Sequence, residues 1–201
     1  MSILDSRVYR WSEVAADFFL LNLMWLLACL PVVTAPPATA AMFAVVRDRV
    51  RGKETGVLRA FVLRFRQNFV QGLVVGGLWA LFGGTLFLDF LVANQLSNGA
   101  QVVMRSLLVL ASILYALTSV FLFPVMVHYE TRWTAIPKNA LLLAVGRLPT
   151  ALVCLLISAV MATLTLILPV LGLISGSLTA YAVYRLCDRE FRKIDATGGD
   201  V

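Results

Sequence analysis

NLMWLLACLPVVTAPPATAAMFAVVRDRVR, from Asn22 to Arg51, is the stretch whose reading decides the architecture. An apolar helix runs into Leu30-Pro31, where the proline ring removes a backbone donor and crowds the preceding turn. The chain then breaks across Thr34-Ala35-Pro36-Pro37 and turns back through Ala38, Ala40 and Ala41 to arginines at 47, 49 and 51. Two apolar arms, joined by residues that cannot continue a helix and closed by a basic run, read as a membrane hairpin with a stiff turn.

The rest of the chain has the same character. Of its 201 residues 60% are hydrophobic and only 14% charged, and the mean hydropathy is +0.88. Soluble domains carry roughly a quarter charged residues. The apolar residues fall in long runs, each near the ~20 residues a helix needs to cross hydrocarbon. No cleavable leader is expected, because the polar start MSILDSRVYRWSEVAADFF is not followed by a small-residue cleavage site.

About six helical passes fit: Val14 to Val33, Ala38 to Arg51, Phe69 to Asn94, Val103 to Tyr129, Pro149 to Leu168 and Val170 to Cys187. The second is short, a full span if tilted or otherwise a half-span. The last two form one run that would be about 60 Å long as a single helix, so the chain must turn, and Leu168-Pro169 with Gly172 and Gly176 supplies the break. The expected fold class is all-α: a polytopic membrane helical bundle over residues 1–194, with a cytoplasmic interfacial amphipathic helix and a flexible cytoplasmic tail at 195–201.

The formal net charge is +6, and its distribution excludes a nucleic-acid partner in favour of membrane lipids. Arg7 and Arg10 precede the first pass; Arg47, Arg49, Arg51, Lys53, Arg59, Arg64 and Arg66 follow the second. Arg132, Lys138 and Arg147 follow the fourth, Arg185, Arg189, Arg192 and Lys193 end the chain, and the opposite loops hold only Arg105. This is the positive-inside pattern, which puts both termini in the cytoplasm. Between Gly56 and Phe69, Val57, Leu58, Phe61, Val62, Phe65 and Phe69 share one helical face, with Arg59 and Arg66 opposite. Such a segment lies in the interface, with Phe61 and Phe65 in the acyl boundary and Arg59 and Arg66 at phosphates, or packs on the bundle's cytoplasmic end.

Two further patterns concern packing. Gly72, Gly76, Ala80 and Gly84 recur every four residues, and Gly172, Gly176 and Ala180 repeat the device. Small-xxx-small stripes let helices approach closely, within one chain or between copies. In addition, Leu30 to Arg49 lies on Leu168 to Cys187 without gaps, matching Leu-Pro-Val at the turn and Ala44, Val45 and Arg47 with Ala182, Val183 and Arg185. Both arms enter from the same side, so the repeat would be parallel.

Polar groups in lipid are candidate pathway residues because burying one unpaired is costly. Asn22, Thr34 and Asp89 are the candidates. Asp89 could hold a cation or a polyol hydroxyl, or simply be solvated; Asn22 is expected in an interhelical hydrogen bond. Glu13 and Asp17, one turn apart, are expected to pair with arginines from the ends of the second and sixth passes. His128 is the single histidine and finds no second ligand in the sequence. Cys29, Cys154 and Cys187 show no metal spacing and read as small hydrophobes. With no HExxH, GxSxG, P-loop or paired intramembrane aspartates, neither an enzyme nor a cofactor is expected.

Asn22, Trp25, Leu30-Pro31-Val32-Val33-Thr34 and Pro37-Ala38-Thr39-Ala40-Ala41 resemble the opening signature of the YesL-type family, small bacterial membrane proteins without established function. Phe65-Arg66-Gln67-Asn68-Phe69, Phe123-Pro124 through His128-Tyr129-Glu130, and Lys138-Asn139-Ala140 are similar to its later segments. Pro36 departs from it, standing where the family has glycine. The resemblance implies a bacterial inner or plasma membrane location and an accessory or component of carbohydrate-related solute transport, with a transporter subunit or a second copy as partner. The alternatives are a small homo-oligomeric transporter or channel in its own right and a non-transporting scaffold or sensor.

Overall fold

A computed structural model describes residues 3–53, 56–93, 98–129 and 132–196, with the backbone alone at 3–11 and 98. The side chains of Arg7 and Arg10, the residues Asn94, Glu130 and Thr131, and the tail from 197 lie outside the described residues. The described chain is helical: α1 (Ile3–Ala28), α2 (Ala35–Val50), α3 (Val57–Ala93), α4 (Asn98–His128), α5 (Ala135–Gly146), α6 (Leu148–Ile167) and α7 (Ser175–Ala196). Three helices are long and apolar enough to cross a membrane: Val57–Ala93, Gly99–His128 and Leu148–Ile167. These correspond to the third, fourth and fifth expected passes. Of the others, α5 is apolar but only 12 residues long, α2 has 16 residues and carries Arg47, Asp48 and Arg49 in its last turn, and the second half of α7 is mostly charged.

The decisive stretch folds with one change. The helix stops at Ala28, and Val32–Thr34 form a 3₁₀ turn. The next helix begins at Ala35 rather than Ala38, so Pro36 and Pro37 sit in its first turn. Prolines are tolerated there because the first backbone N–H groups of a helix have no intrahelical acceptor, and the ring's fixed φ already suits a helix. Thr34 locks the turn through its hydroxyl, which lies 2.5 Å from the Ala28 carbonyl and 2.6 Å from the Pro31 carbonyl and shares its one proton between them.

The second hairpin is built the same way. After α6, Pro169–Leu173 form a 3₁₀ turn and α7 follows. The proposed repeat therefore shares a helix, Leu-Pro, 3₁₀ turn, helix construction in both halves.

A second change concerns Gly56 to Phe69. This segment is not a helix of its own: α3 runs unbroken over 37 residues, about 55 Å at 1.5 Å per residue. That exceeds the ~30 Å hydrocarbon core, so its first turns extend past the span. No proline or glycine between Val57 and Phe69 breaks the helix. At the other end of the chain, α7 continues to Ala196, two residues into the segment expected as a flexible tail.

The core is concentrated at the basic end of the bundle. One cluster joins α4, α5, α6 and α7 through Phe121, Val125, Ile136, Ala140, Cys154, Cys187 and Phe191. Another joins α1, α2, α3 and α7 through Leu21, Ala41, Met42, Val45, Phe61 and Tyr184. Beyond them the long helices present apolar side chains outward, with Leu81, Phe87 and Leu166 exposed, as lipid-facing surfaces do.

Candidate functional site

The three pathway candidates do not meet. Asn22 is fully buried and fully engaged: its Nδ2 donates to the Gly172 carbonyl at 2.6 Å and its Oδ1 accepts from the Ser177 backbone N–H at 3.0 Å. It thereby ties α1 to the second hairpin turn and satisfies one of the free donors at the start of α7. Thr34 is a turn lock. Asp89 is exposed near the end of α3, away from both other candidates.

The glycine stripes divide similarly. A Cβ on Gly72 would stand 2.8 Å from Pro37 Cα, and one on Gly76 would overlap the Pro36 ring. The two prolines of the decisive stretch thus rest on the first half of the α3 stripe. Ala80 is exposed and Gly84 faces open space. On the other hairpin, a Cβ on Gly176 would lie 2.5 Å from Asn22 Oδ1, and one on Gly172 3.2 Å from Thr165 Cγ2.

The interfacial candidates also split. Arg59 and Arg66 are exposed, Phe61 is 2% exposed within the second core cluster, and Phe65 is half-buried beside it. The placement of Phe61 in the acyl boundary is corrected. It packs on the bundle's end because α3 is continuous and its first turns lie against α2.

Two concave sites stand out among the described residues. The larger, about 790 Å³, runs along α1, α2, α4, α6 and α7. Trp25, Phe43, Ala116, Met161, Gly172 and Gly176 are among its lining residues. It also holds hydroxyls, but these donate elsewhere: Ser119 to the Tyr115 carbonyl, Ser158 to Cys154, Thr165 to Met161 and Thr179 to Ser175, at 2.6–2.9 Å. Trp25 Nε1 donates to Thr39 Oγ1 at 3.1 Å. The groove is therefore chemically apolar despite its serines and threonines.

The smaller site, about 380 Å³, lies at the basic end and is lined by Ala44, Arg47, Arg64, Gln67, Asn68, Gln71, Met126 and Val127. Asp48, 5% exposed, holds the two arginines: Arg64 Nε donates to its Oδ2 at 2.8 Å, and Arg47 Nη2 lies 3.3 Å from its Oδ1. Arg47 also donates to the Val127 carbonyl, and Arg64 Nη1 donates to Gln67 Oε1 at 3.0 Å. This site was missed in the sequence although a signal was present. Arg64, Gln67, Asn68 and Gln71 follow i, i+3, i+4, i+7 spacing, a polar stripe on a helix otherwise judged by its aromatic face.

Around these sites the charged groups pair as helix ends meet. Asp17 pairs with Arg49, whose guanidinium also lies 5.3 Å from the Phe18 ring centroid; Glu13 is exposed. His128 Nδ1 lies 3.3 Å from Arg51 Nη2 and 3.1 Å from Tyr184 Oη. A guanidinium only donates, so Nδ1 accepts and the ring proton is on Nε2, 3.8 Å from Asp195. Burial, with the Asp195 carboxylate beside it, pushes Tyr129 up to about 12, which keeps its phenol protonated. Cys154 and Cys187, far apart in sequence, are buried free thiols within the same core cluster. Among the described residues no group of three His, Cys, Asp or Glu side chains could hold a metal ion.

A family profile described as "Protein of unknown function, DUF624" matches residues 18–90. That segment contains the decisive hairpin, the prolines on Gly72 and Gly76, and the Asp48–Arg64 pair. The uncharacterized protein YteU of Bacillus subtilis (strain 168) is 28% identical over 199 residues, covering 96% of this chain and 89% of its own. The uncharacterized protein YesL of the same organism is 28% identical over 182 residues, covering 87% and 85%. The chain is thus similar to the YesL-type proteins. The uncharacterized protein YesV, also of B. subtilis, is 27% identical over 154 residues, covering 75% of this chain and 74% of its own. No solved structure matches.

Proposed function

We propose that this is a multi-pass protein of the bacterial inner or plasma membrane, with both termini cytoplasmic, that acts as an accessory or component of carbohydrate-related solute transport. The single observation that carries the reading is the 790 Å³ groove. A hydrated sugar crossing a membrane needs polar groups facing its path, and here the neighbouring serines, threonines, Asn22 and Trp25 already bond within the chain. What the groove offers instead is an apolar channel floored by Gly172, Gly176, Ala116 and Ala162. Small residues of this kind let a further helix approach closely and gain dispersion contacts along its length. A transmembrane helix of a sugar-permease subunit is the occupant proposed. The basic residues at the ends of α2, α4 and α7 support the cytoplasmic assignment of that face, and the YesL-type resemblance supports the link to carbohydrate uptake.

The test places a photo-crosslinking residue at Met161, inside the groove, in native membranes. The expected product is a covalent adduct with a sugar-permease subunit that is absent when the crosslinker sits at the exposed Leu81. The purified protein moving labelled sugar into liposomes by itself would overturn the accessory reading in favour of an autonomous transporter. An adduct only with a second copy, without sugar movement, would overturn it in favour of a scaffold.

A further inference from the structure

We infer that the smaller cavity, between the end of α2, the Arg64–Gln71 stripe of α3 and the end of α4, is a binding site for a phosphoryl group. Two guanidiniums line it, and the carboxylate paired with both, Asp48, is not among the lining residues. The group of Arg47, Arg64 and Asp48 therefore carries one net positive charge toward the cavity. Arg47 has its side chain only 12% exposed, and its buried Nε has no hydrogen-bond partner among the described residues. Buried N–H groups almost always have one. A cationic group so placed is best satisfied by an anion that accepts several bonds at once.

The remaining donors are arranged for such a ligand. Each arginine has five N–H groups; Arg47 uses one on Val127 and one on Asp48, and Arg64 engages Asp48 and Gln67. Because Gln67 Oε1 accepts from Arg64, its amide nitrogen is turned away from that bond and its N–H groups remain to donate. Asp48 holds the guanidiniums before any ligand arrives, which lowers the cost of ordering them. A carboxylate has two acceptor oxygens; a phosphate monoester has three and more charge, and the phosphodiester of a lipid headgroup has two terminal oxygens sharing one charge. A volume of about 380 Å³ also leaves room for what the phosphorus is attached to. The chemistry is common to a phospholipid headgroup and to a soluble phosphate monoester, and the cavity lies at the basic end of the bundle, where both are available.

The experiment uses the full chain in nanodiscs and follows thermal unfolding and calorimetric binding. Hexose phosphate and inorganic phosphate are added to phosphatidylcholine discs, and phosphatidylglycerol discs are compared with phosphatidylcholine discs. Gln67 is exposed, so Gln67→Glu and Gln67→Lys change the charge at the cavity without disturbing the core. The expected result is saturable binding of at least one phosphoryl probe, weakened roughly tenfold or more by Gln67→Glu and strengthened by Gln67→Lys, as one charge of either sign at close range does. Binding of the soluble probes in neutral discs identifies a phosphate monoester; a response to phosphatidylglycerol alone identifies a lipid headgroup. No response to any phosphoryl probe, equal responses in the two variants, or binding of the neutral hexose as tight as that of its phosphate would overturn the assignment.

Discussion

At the scale of single residues, the contacts of Asn22 and of the glycines give the sharpest expectations. Replacing Asn22 by Leu leaves the Gly172 carbonyl and the Ser177 N–H without their partner; each buried group left unsatisfied costs about 1–3 kcal/mol. The expected result is a clear fall in unfolding temperature in detergent; an unchanged midpoint would show that the bond does not hold the two hairpins together. Gly76→Ala drives a methyl into the rigid Pro36 ring, at about 1–3 kcal/mol for overpacking. Gly84→Ala, on the same stripe but in open space, is expected to be neutral or slightly stabilising, since alanine is the better helix former by about 1 kcal/mol. Equal effects at the two positions would remove the claim that the first half of the stripe receives the prolines. Asp48→Asn deprives two guanidiniums of their buried counter-charge, a change worth about 3–5 kcal/mol, and is expected to abolish stable expression.

At the scale of elements, the instructive case is α3. Its aromatic face between Gly56 and Phe69 is legible in the sequence, and both an interfacial and a packed position are compatible with it. The periodicity of a helix states which residues share a face, but nothing about what that face meets. Phe61 packs with Leu21, Val45 and Tyr184, from α1, α2 and α7, and only the assembled bundle brings those together. Phe61→Ala is therefore expected to destabilise the protein by about 3–5 kcal/mol, while Leu58→Ala, exposed on the same segment, leaves the unfolding midpoint nearly unchanged. Were Leu58 the costlier of the two in nanodiscs, the segment's free face would be the one that matters. The hairpin turns are the opposite case. Leu-Pro at 30–31 and at 168–169 marks both breaks in the sequence, and both become 3₁₀ turns, since a proline's missing donor acts locally.

At the scale of the whole molecule, the distribution of charge and the distribution of burial coincide. The ends of α2, α4 and α7 and the overhanging start of α3 bring the arginines, the carboxylates and most of the core to one end. Both termini are expected on that side, with the α3–α4 connection opposite. A cysteine placed at Gln101 should be labelled by an impermeant reagent from outside intact cells, while one at Ala196 should be labelled only after lysis; the reverse pattern would invert the topology. The charge pairs bind the basic end in tertiary space: Asp17 with Arg49, Arg64 with Asp48, and Arg147 with Glu190 at 3.3 Å.

Short-range chemistry made much of this protein legible from its residues alone. Runs of apolar side chains near 20 residues long, prolines at the turns and arginines at one set of ends required a helical membrane bundle, because lipid leaves the backbone few other ways to satisfy its hydrogen bonds. The helix packing of Gly72 and Gly76 was foreseeable as a smooth face; that it receives Pro36 and Pro37 was not. Nor were the cavity made by Arg47 with the Arg64–Gln71 stripe, the Cys154–Cys187 contact, or the identity of Gly172 and Ser177 as the partners of Asn22. Each depends on which residues from distant segments face one another, and a hydrogen bond or an ion pair has no one-dimensional signature. Local propensity determined where the two hairpins turn, and only the packing of the helices decided which polar groups are consumed by the fold and which face an open site.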